Sequence, residues 1–442
     1  MKSNPLKNLI RYKTRVPHCG IYSACSANPL VIKAVMTKGL TDGSPVLIEA
    51  TANQCNQFGG YTGMTPSAFV AMVHKTAQNI GFDERRLFIG GDHLGPLTFV
   101  RYNETKAMEL SAQLISSYVE AGFTKIHIDT SMKVADDPCD KPLSETTIAT
   151  RTVYLAQAAE QAYTRRLAKM PGAVHPVYII GSEVPTPGGA TRGPSRLTPT
   201  SGTSFIKTEA AFHKAFIDSG LKKAWNNVIG FVVQPGIEES GIGCIDYDHN
   251  KARGLISVLN SYPNLVFEAH STDYQTKENL RQLVNDGFAI LKVGPALTFS
   301  LREGLFALSY IEDLTIKENR SDFRRILDEK MLQDPSHWQT HYHGNPDQLI
   351  LERAFSFSDR CRYYLCIKEV TDSIATLLTN LAGGVDLSLL SQFLPRQYDR
   401  VRQFKLRNEP ESILLDKIGD TIDDYLYASQ QKDLLKEAHY VR

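Results

Sequence analysis

Polar and acidic side chains recur along this chain, each set closing a short apolar run: Cys25 and Ser26; Glu49, Asn53 and Gln54; Asp92 and His93; Asp129; Glu183; Gln234; Glu268, His270 and Asp273; Lys292. Imidazole nitrogens and carboxylate oxygens together suit a divalent metal of the zinc, manganese or nickel type. Asp92, His93, Glu183 and His270 are therefore the candidates for a metal centre, with His93, His270 and Glu183 as ligands. Such a metal would chelate the carbonyl and hydroxyl oxygens of a ketose and stabilise an enediolate, while Asp92 or Glu183 moves the proton. Aldol cleavage and epimerisation both break a bond beside stabilised carbanion character, so these residues leave both open.

The rest of the ring is expected to hold the substrate, a ketose or ketose phosphate: Glu49, Gln54, Asp129, Gln234, Glu268, Ser271, Asp273, Lys292 and Gly294. Gly294 allows close backbone approach and Ser271 offers a hydroxyl. Neighbouring Glu268 holds Lys292 charged, which argues against a Schiff base. Each residue also has a plainer reading. Glu49 and Glu268 could cap loops or pair with Lys292, Asp129 could cap a helix, and Cys25 is a small buried side chain more often than a nucleophile.

Positioning such a ring takes regular elements. Eight β-branched, apolar runs precede the polar clusters: Gly20 to Cys25, Val46 to Thr51, Leu87 to His93, Lys125 to Asp129, Val177 to Glu183, Val228 to Gln234, Leu265 to His270 and Ala289 to Val293. Helical segments alternate with them, starting near Asn28-Pro29, Thr65-Pro66, Asn103, Ser144, Thr203, Thr276 and Thr298. Strand and helix alternation implies a parallel sheet. No GxGxxG follows the first run, so a closed (β/α)8 TIM barrel is expected rather than a doubly wound sheet. Polar residues at strand ends then share one face, where barrels carry their chemistry.

The barrel is expected over residues 16–311, followed by a mostly helical C-terminal extension, 312–442, packed on it. In that extension, Ser321 to Gln348 reads as a helix and a loop, and Asp359 to Val370 as a helix. The His337, His341 and His343 trio lies outside the barrel and, beside Trp338 and Tyr342, reads as a packed segment. The glycine-rich loop Gly59 to Met64 lacks the lysine of a Walker motif and is a candidate lid. Gly188 and Gly189, with Arg192 and Arg196, form a loop after the fifth strand.

Composition sets the class. The 442 residues carry 49 basic and 48 acidic side chains, a net charge of +1, so no long-range field draws nucleic acid or an anionic membrane. No apolar run of ~18 residues occurs and the N-terminus does not read as a signal peptide, so a cytoplasmic location is expected. Seven separated cysteines form neither a disulfide framework nor a zinc knuckle.

Longer strings carry a resemblance. Glu49-Ala50-Thr51 with Asn53-Gln54, Gln57 to Pro66, Gly90-Gly91-Asp92-His93-Leu94-Gly95-Pro96, Gly181 to Pro185, Val233 to Gly236, Phe267 to Gln275, Ile290 to Phe299 and Ser391 to Pro395 resemble the tagatose-bisphosphate aldolase accessory subunits of the KbaZ and GatZ type. The resemblance runs from about Ile21 to at least Gln397. It implies a fold like the class II aldolases. The Asp92-His93 pair is similar to their Asp-His pair, in which the Asp handles the proton and the His binds zinc. It also implies a catalytic aldolase subunit as partner, which such members stabilise and activate, in galactitol or N-acetylgalactosamine catabolism, with a homo-oligomer compatible. Older labels call some members tagatose-6-phosphate kinases, but no nucleotide-phosphate loop is present. Some relatives are described as metal-dependent ketose 4-epimerases. The two expectations are thus an aldolase subunit and, as the alternative, a self-sufficient ketose 4-epimerase.

Overall fold

The computed structural model describes residues 3–13, 18–182 and 197–435. Eight parallel strands form a closed barrel: β1 (Ile21–Cys25), β2 (Val46–Thr51), β3 (Leu87–Leu94), β4 (Lys125–Ile128), β5 (Val177–Ile180), β6 (Val228–Val232), β7 (Val266–Ala269) and β8 (Phe288–Val293). Around the wall they run β1-β8-β7-β6-β5-β4-β3-β2. Both strand faces are covered, which is why these runs are apolar almost throughout. Several strands stop short of the sequence limits, so Asp129, Gln234 and His270 stand just beyond β4, β6 and β7, in the loops at the mouth.

Helix starts follow local capping. Asn28, Thr65, Asn103, Ser144 and Thr276 each accept a hydrogen bond from a first-turn backbone N–H. Two expected starts shift: Ser201, not Thr203, caps the helix Gly202–Asp218, and the helix after β8 begins at Pro295, before Thr298. Proline at the first helical position is preorganised for that entry.

Inside the barrel the side chains form layers. Nearest the strand N-termini, Ile21, Leu47, Phe88, Val177, Ile229, Val266 and Ile290 cluster with Leu6, Leu9 and Tyr12 of the N-terminal segment, which closes that end. Further along, five of the strands carry a buried polar or charged side chain: Ser23, Glu49, Lys125, Glu268 and Lys292. The period of two that sends alternate side chains inward thus lifts charge onto a hydrocarbon floor.

The extension contributes to the barrel wall. Helix Pro410–Ser429 packs on β1 and on the helices Pro29–Asp42, Lys277–Asn285 and Pro295–Thr315, through buried Ile413, Leu414, Ile418, Ile422 and Tyr425. Pro295–Thr315 is covered by it on one side and by further extension helices on others, so it is buried nearly all round. The stretch from Asp359 to Val370 is not one helix: Asp359 adopts φ +46°, Arg360–Tyr363 forms a single 3-10 turn, and the α-helix starts at Lys368. Asp359 is held there by Thr298 and by Arg302 at 3.5 Å. No helix among the described residues is long and apolar enough to cross a membrane.

Candidate metal centre

Strand β3 makes the centre by breaking its own register. Gly91 pairs with Ile126 but Leu94 pairs with Ile128, so β3 carries one extra residue, a bulge, at Asp92-His93. Regular pleating would point these two side chains to opposite faces. The bulge, with His93 at φ +49°, brings both to the cavity at the mouth, and both are buried. A non-glycine residue in that left-handed region is uncommon and collects at functional sites.

Three imidazoles meet here, with ring centroids of 5.2 Å for His93–His127, 4.9 Å for His93–His270 and 5.1 Å for His127–His270. Each is fixed by one carboxylate. His93 Nδ1 lies 2.8 Å from Asp129 Oδ2, His127 Nδ1 2.8 Å from Asp92 Oδ1, and His270 Nε2 3.0 Å from Glu268 Oε1. Asp129 in turn accepts hydrogen bonds from the Ser131 N–H and hydroxyl, so it orients His93. A carboxylate on one ring nitrogen sets the tautomer and leaves the other nitrogen as a metal ligand. His127 Nε2 is fully buried and has no hydrogen-bond partner among the described residues, so its lone pair is one that a cation would satisfy.

Asp92, His127, Glu268 and His270 each offer a ligand atom, and these atoms lie within 4.8 Å of one another. This buried His and carboxylate group could hold a metal ion. It takes in His270, expected as a ligand, and Asp92, expected as the proton-handling acid, adds His127 and Glu268, and leaves His93 at its edge, with Nε2 3.7 Å from Asp92 Oδ2. Glu183 lies outside the described residues. Burial lowers the His270 pKa to about 4, against the pull of Glu268, so the ring is neutral and able to ligate. Burial opposes ionisation of Asp92 too, but His93, Lys292 and the bond from His127 hold it well below the usual carboxylate range.

Beneath the histidines lies an ion network. Lys125 Nζ sits 2.7 Å from both Glu49 Oε1 and Glu268 Oε2, pairs that are close but poorly aligned as hydrogen bonds, with all three side chains fully buried. Lys292 pairs with Glu49 and lies 3.1 Å from Asp92 Oδ1. Burial alone would depress both lysine pKa values, but the surrounding carboxylates raise them, so Lys292 stays an ammonium. Gly90 leaves the room: a Cβ there would stand 2.5 Å from Glu49 Oε1. Lys125 and His127 were not picked out from the sequence. Their signal was the alternation Lys125-Ile126-His127-Ile128-Asp129, which in a barrel strand aims the three polar residues the same way.

Above this floor opens a cavity of about 90 Å³, lined among others by Gln54, Asp92, His93, His270, Ser271, Asp273, Lys292 and Gly294. Eight residues expected at the site therefore share one wall. Four others stand elsewhere: Glu49 and Glu268 lie under the floor, Asp129 sits behind His93, and the Gln234 side chain accepts the Gly236 and Ile237 N–H groups in a turn. Asp273 lines the wall but spends Oδ1 on the Gly294 and Ala296 N–H groups, fixing the loop after β8.

Two lining residues come from segments that carry no site pattern in the sequence. Glu239 sits in a hairpin pairing Glu238–Glu239 with Cys244–Ile245, and burial together with nearby Asp273 pushes its carboxyl up to about 7. Arg362 reaches in from the extension, beside Tyr363, whose ring packs on Tyr61 with centroids 4.6 Å apart. His337 stacks on Tyr363 in turn, 4.6 Å away, so part of the histidine trio's segment buttresses the mouth. The candidate lid is tied down: Tyr61 N–H donates to Asn53 O and the Thr62 hydroxyl to Gln54 O.

Residues 6–430 match the family of D-tagatose-1,6-bisphosphate aldolase subunit GatZ/KbaZ-like proteins. Among solved structures, the chain is 40% identical to a probable tagatose 6 phosphate kinase from Sinorhizobium meliloti 1021, with a TM-score of 0.83 over 92% of this chain and 100% of that one. Far more distant are the fructuronate-tagaturonate epimerase UxaE from Cohnella laeviribosi, 12% identical with a TM-score of 0.46 over 94% of this chain and 83% of that one, and the fructose-bisphosphate aldolase from Campylobacter jejuni, 12% identical with a TM-score of 0.43 over 86% and 93%. At that distance neither says what this chain does.

Proposed function

The chain belongs to the GatZ/KbaZ-like family of D-tagatose-1,6-bisphosphate aldolase subunits, and from that membership we propose that it is the subunit a catalytic class II aldolase chain needs for full activity and stability. The single observation that carries this reading is a family match spanning residues 6–430, barrel and extension together. Co-expression tests it. The chain is expected to co-purify with a catalytic class II tagatose-bisphosphate aldolase subunit and raise its melting temperature; a partner that neither binds nor gains stability overturns the proposal.

One observation favours a second reading, catalysis by this chain itself as a metal-dependent ketose 4-epimerase. Asp92 and His270 of the His and carboxylate cluster, with His93 beside them, line an open cavity, which a purely supporting subunit does not require. A divalent cation held by His127 and His270, with His93 beside them, would polarise the substrate carbonyl and stabilise the negative charge that develops on its oxygen. Asp92 lines the cavity next to that position and is placed to take or return the substrate proton. Asp129 and Glu268 keep His93 and His270 in their ligating orientations. Lys292, held charged, balances Asp92 and Glu49 instead of attacking a carbonyl.

Metal-loaded protein incubated alone with D-tagatose, D-fructose and their phosphates separates the two readings. Inversion at C4 supports the epimerase; an inert chain that still activates the aldolase leaves the subunit reading alone. Elemental analysis adds a direct check, since His127→Ala and His270→Ala are both expected to lose bound divalent metal while remaining folded.

A further inference from the structure

Two groups of metal-ligating side chains share one carboxylate. The first is the set Asp92, His127, Glu268 and His270; the second is Cys25, Glu49 and Asp92, whose ligand atoms also lie within 4.8 Å of one another. Cys25 Sγ stands 3.7 Å from Glu49 Oε2 and 3.9 Å from Asp92 Oδ2, and all three side chains are buried. Two-metal centres hold their cations about 3.5 to 4 Å apart and clamp neighbouring substrate oxygens between them. A carboxylate common to both ligand sets, as Asp92 is here, is the bridge such a centre needs.

The second position already holds a cation. Lys292 Nζ pairs with Glu49 Oε2, lies 3.1 Å from Asp92 Oδ1 and neighbours the Cys25 thiol, so one ammonium meets all three groups. Strand pairing delivers it: Lys292 on β8 stands in register with Ser23 on β1, two residues before Cys25. The other lysine of the network, Lys125, pairs with Glu49 and Glu268 beneath the floor, whereas Lys292 lines the cavity. Charge is conserved as well. An ammonium beside a neutral thiol carries the same net charge as a divalent ion beside a thiolate whose proton has left to solvent, so exchanging one for the other leaves Glu49 and Asp92 facing the same positive charge.

We propose that Lys292 is a built-in second cation: its ammonium occupies the position that Cys25, Glu49 and Asp92 otherwise offer to a second divalent ion, and so holds the centre to a single exchangeable metal. The inference rests on the metal reading of the histidine cluster and adds the residue that sets its stoichiometry. For a substrate bound at the centre, the consequence is a positive charge beside the metal that no chelator can remove, available to the oxygen neighbouring the one the metal holds.

Metal counting on the whole chain tests this, with Co(II) as the probe because a thiolate ligand gives it a strong near-ultraviolet charge-transfer absorption. After loading and dialysis the wild type is expected to hold about one Co(II) per chain without that absorption, and Lys292→Ala about two, with it. Adding Cys25→Ser to Lys292→Ala should abolish the absorption and return the content to about one. Lys292→Ser, which keeps a small polar side chain, is expected to behave as Lys292→Ala does and serves if the latter fails to fold. A folded Lys292→Ala or Lys292→Ser protein with the cobalt content of the wild type, or with extra Co(II) but no thiolate absorption, overturns the proposal. So does a wild type that already shows the absorption, a result that needs no variant. A wild type that takes up no Co(II), while Lys292→Ala takes up about one through Cys25, refutes the histidine centre and leaves the assignment of Lys292 standing.

Discussion

Replacing Lys125 by Met is the sharpest test of the network beneath the histidines. The ammonium sits 2.7 Å from Glu49 Oε1 and 2.7 Å from Glu268 Oε2, and all three side chains have no exposed surface. Methionine fills the same space without charge. Glu49 keeps Lys292 in direct contact as a counterion, whereas Glu268 keeps His270, whose ring is neutral, and only the more distant charge of Lys292. Leaving one buried carboxylate uncompensated costs about 3 to 5 kcal/mol. Over a chain this long, an unfolding entropy of about 2 cal/mol/K per residue converts each kcal/mol into roughly 1 °C, so Lys125→Met should melt about 4 °C lower. Lys125→Met with Glu268→Gln removes both charges and should recover half or more of the loss, because the pair then leaves nothing unpaired. A double-mutant cycle by thermal and urea unfolding reads the coupling, expected at about 2 kcal/mol. Strictly additive single variants, or a Lys125→Met protein as stable as the wild type, would show that the network does not hold the barrel interior as described.

Asp129→Ala removes the carboxylate that orients His93 and should weaken divalent-metal affinity by roughly tenfold to hundredfold with the fold retained, measured by chelator competition; unchanged affinity would remove His93 from the centre. Burial raises the Glu239 carboxyl to about 7, so the folded protein keeps a proton that the unfolded chain releases, and stability falls as pH rises from about 4.5 to about 7. Glu239→Gln should therefore match the wild type near pH 4.5 and exceed it at pH 8 by up to about 3 kcal/mol; equal melting temperatures at pH 8 would contradict this. Thiol alkylation of native protein should label exposed Cys139 quickly and leave Cys25, Cys55 and Cys361 unreacted, since burial keeps those three protonated. Rapid modification of Cys25 would mean that the cavity floor is open to reagent.

The alternation of short apolar runs with helical segments was enough to specify a parallel sheet, because such patterns are local properties of the chain, and the missing GxGxxG after the first run favoured a closed barrel over an open sheet. Strand ends were legible for the same reason, and they brought Asp92, His93, His270, Lys292 and Gly294 to one face. Which of those residues meet was a different matter. His127 and Lys125 lie inside an apolar strand, and only closure of the barrel turns their side chains onto Asp92, Glu49 and Glu268 from other strands. The bulge that aims both Asp92 and His93 inward comes from the pairing of β3 with β4, which no single segment encodes. Glu239 and Arg362 reach the cavity through a hairpin and an extension whose local sequence carries no active-site pattern. Local periodicity decided where the ring of polar residues stands; contacts between segments far apart in the chain decided which of its members could together hold a metal.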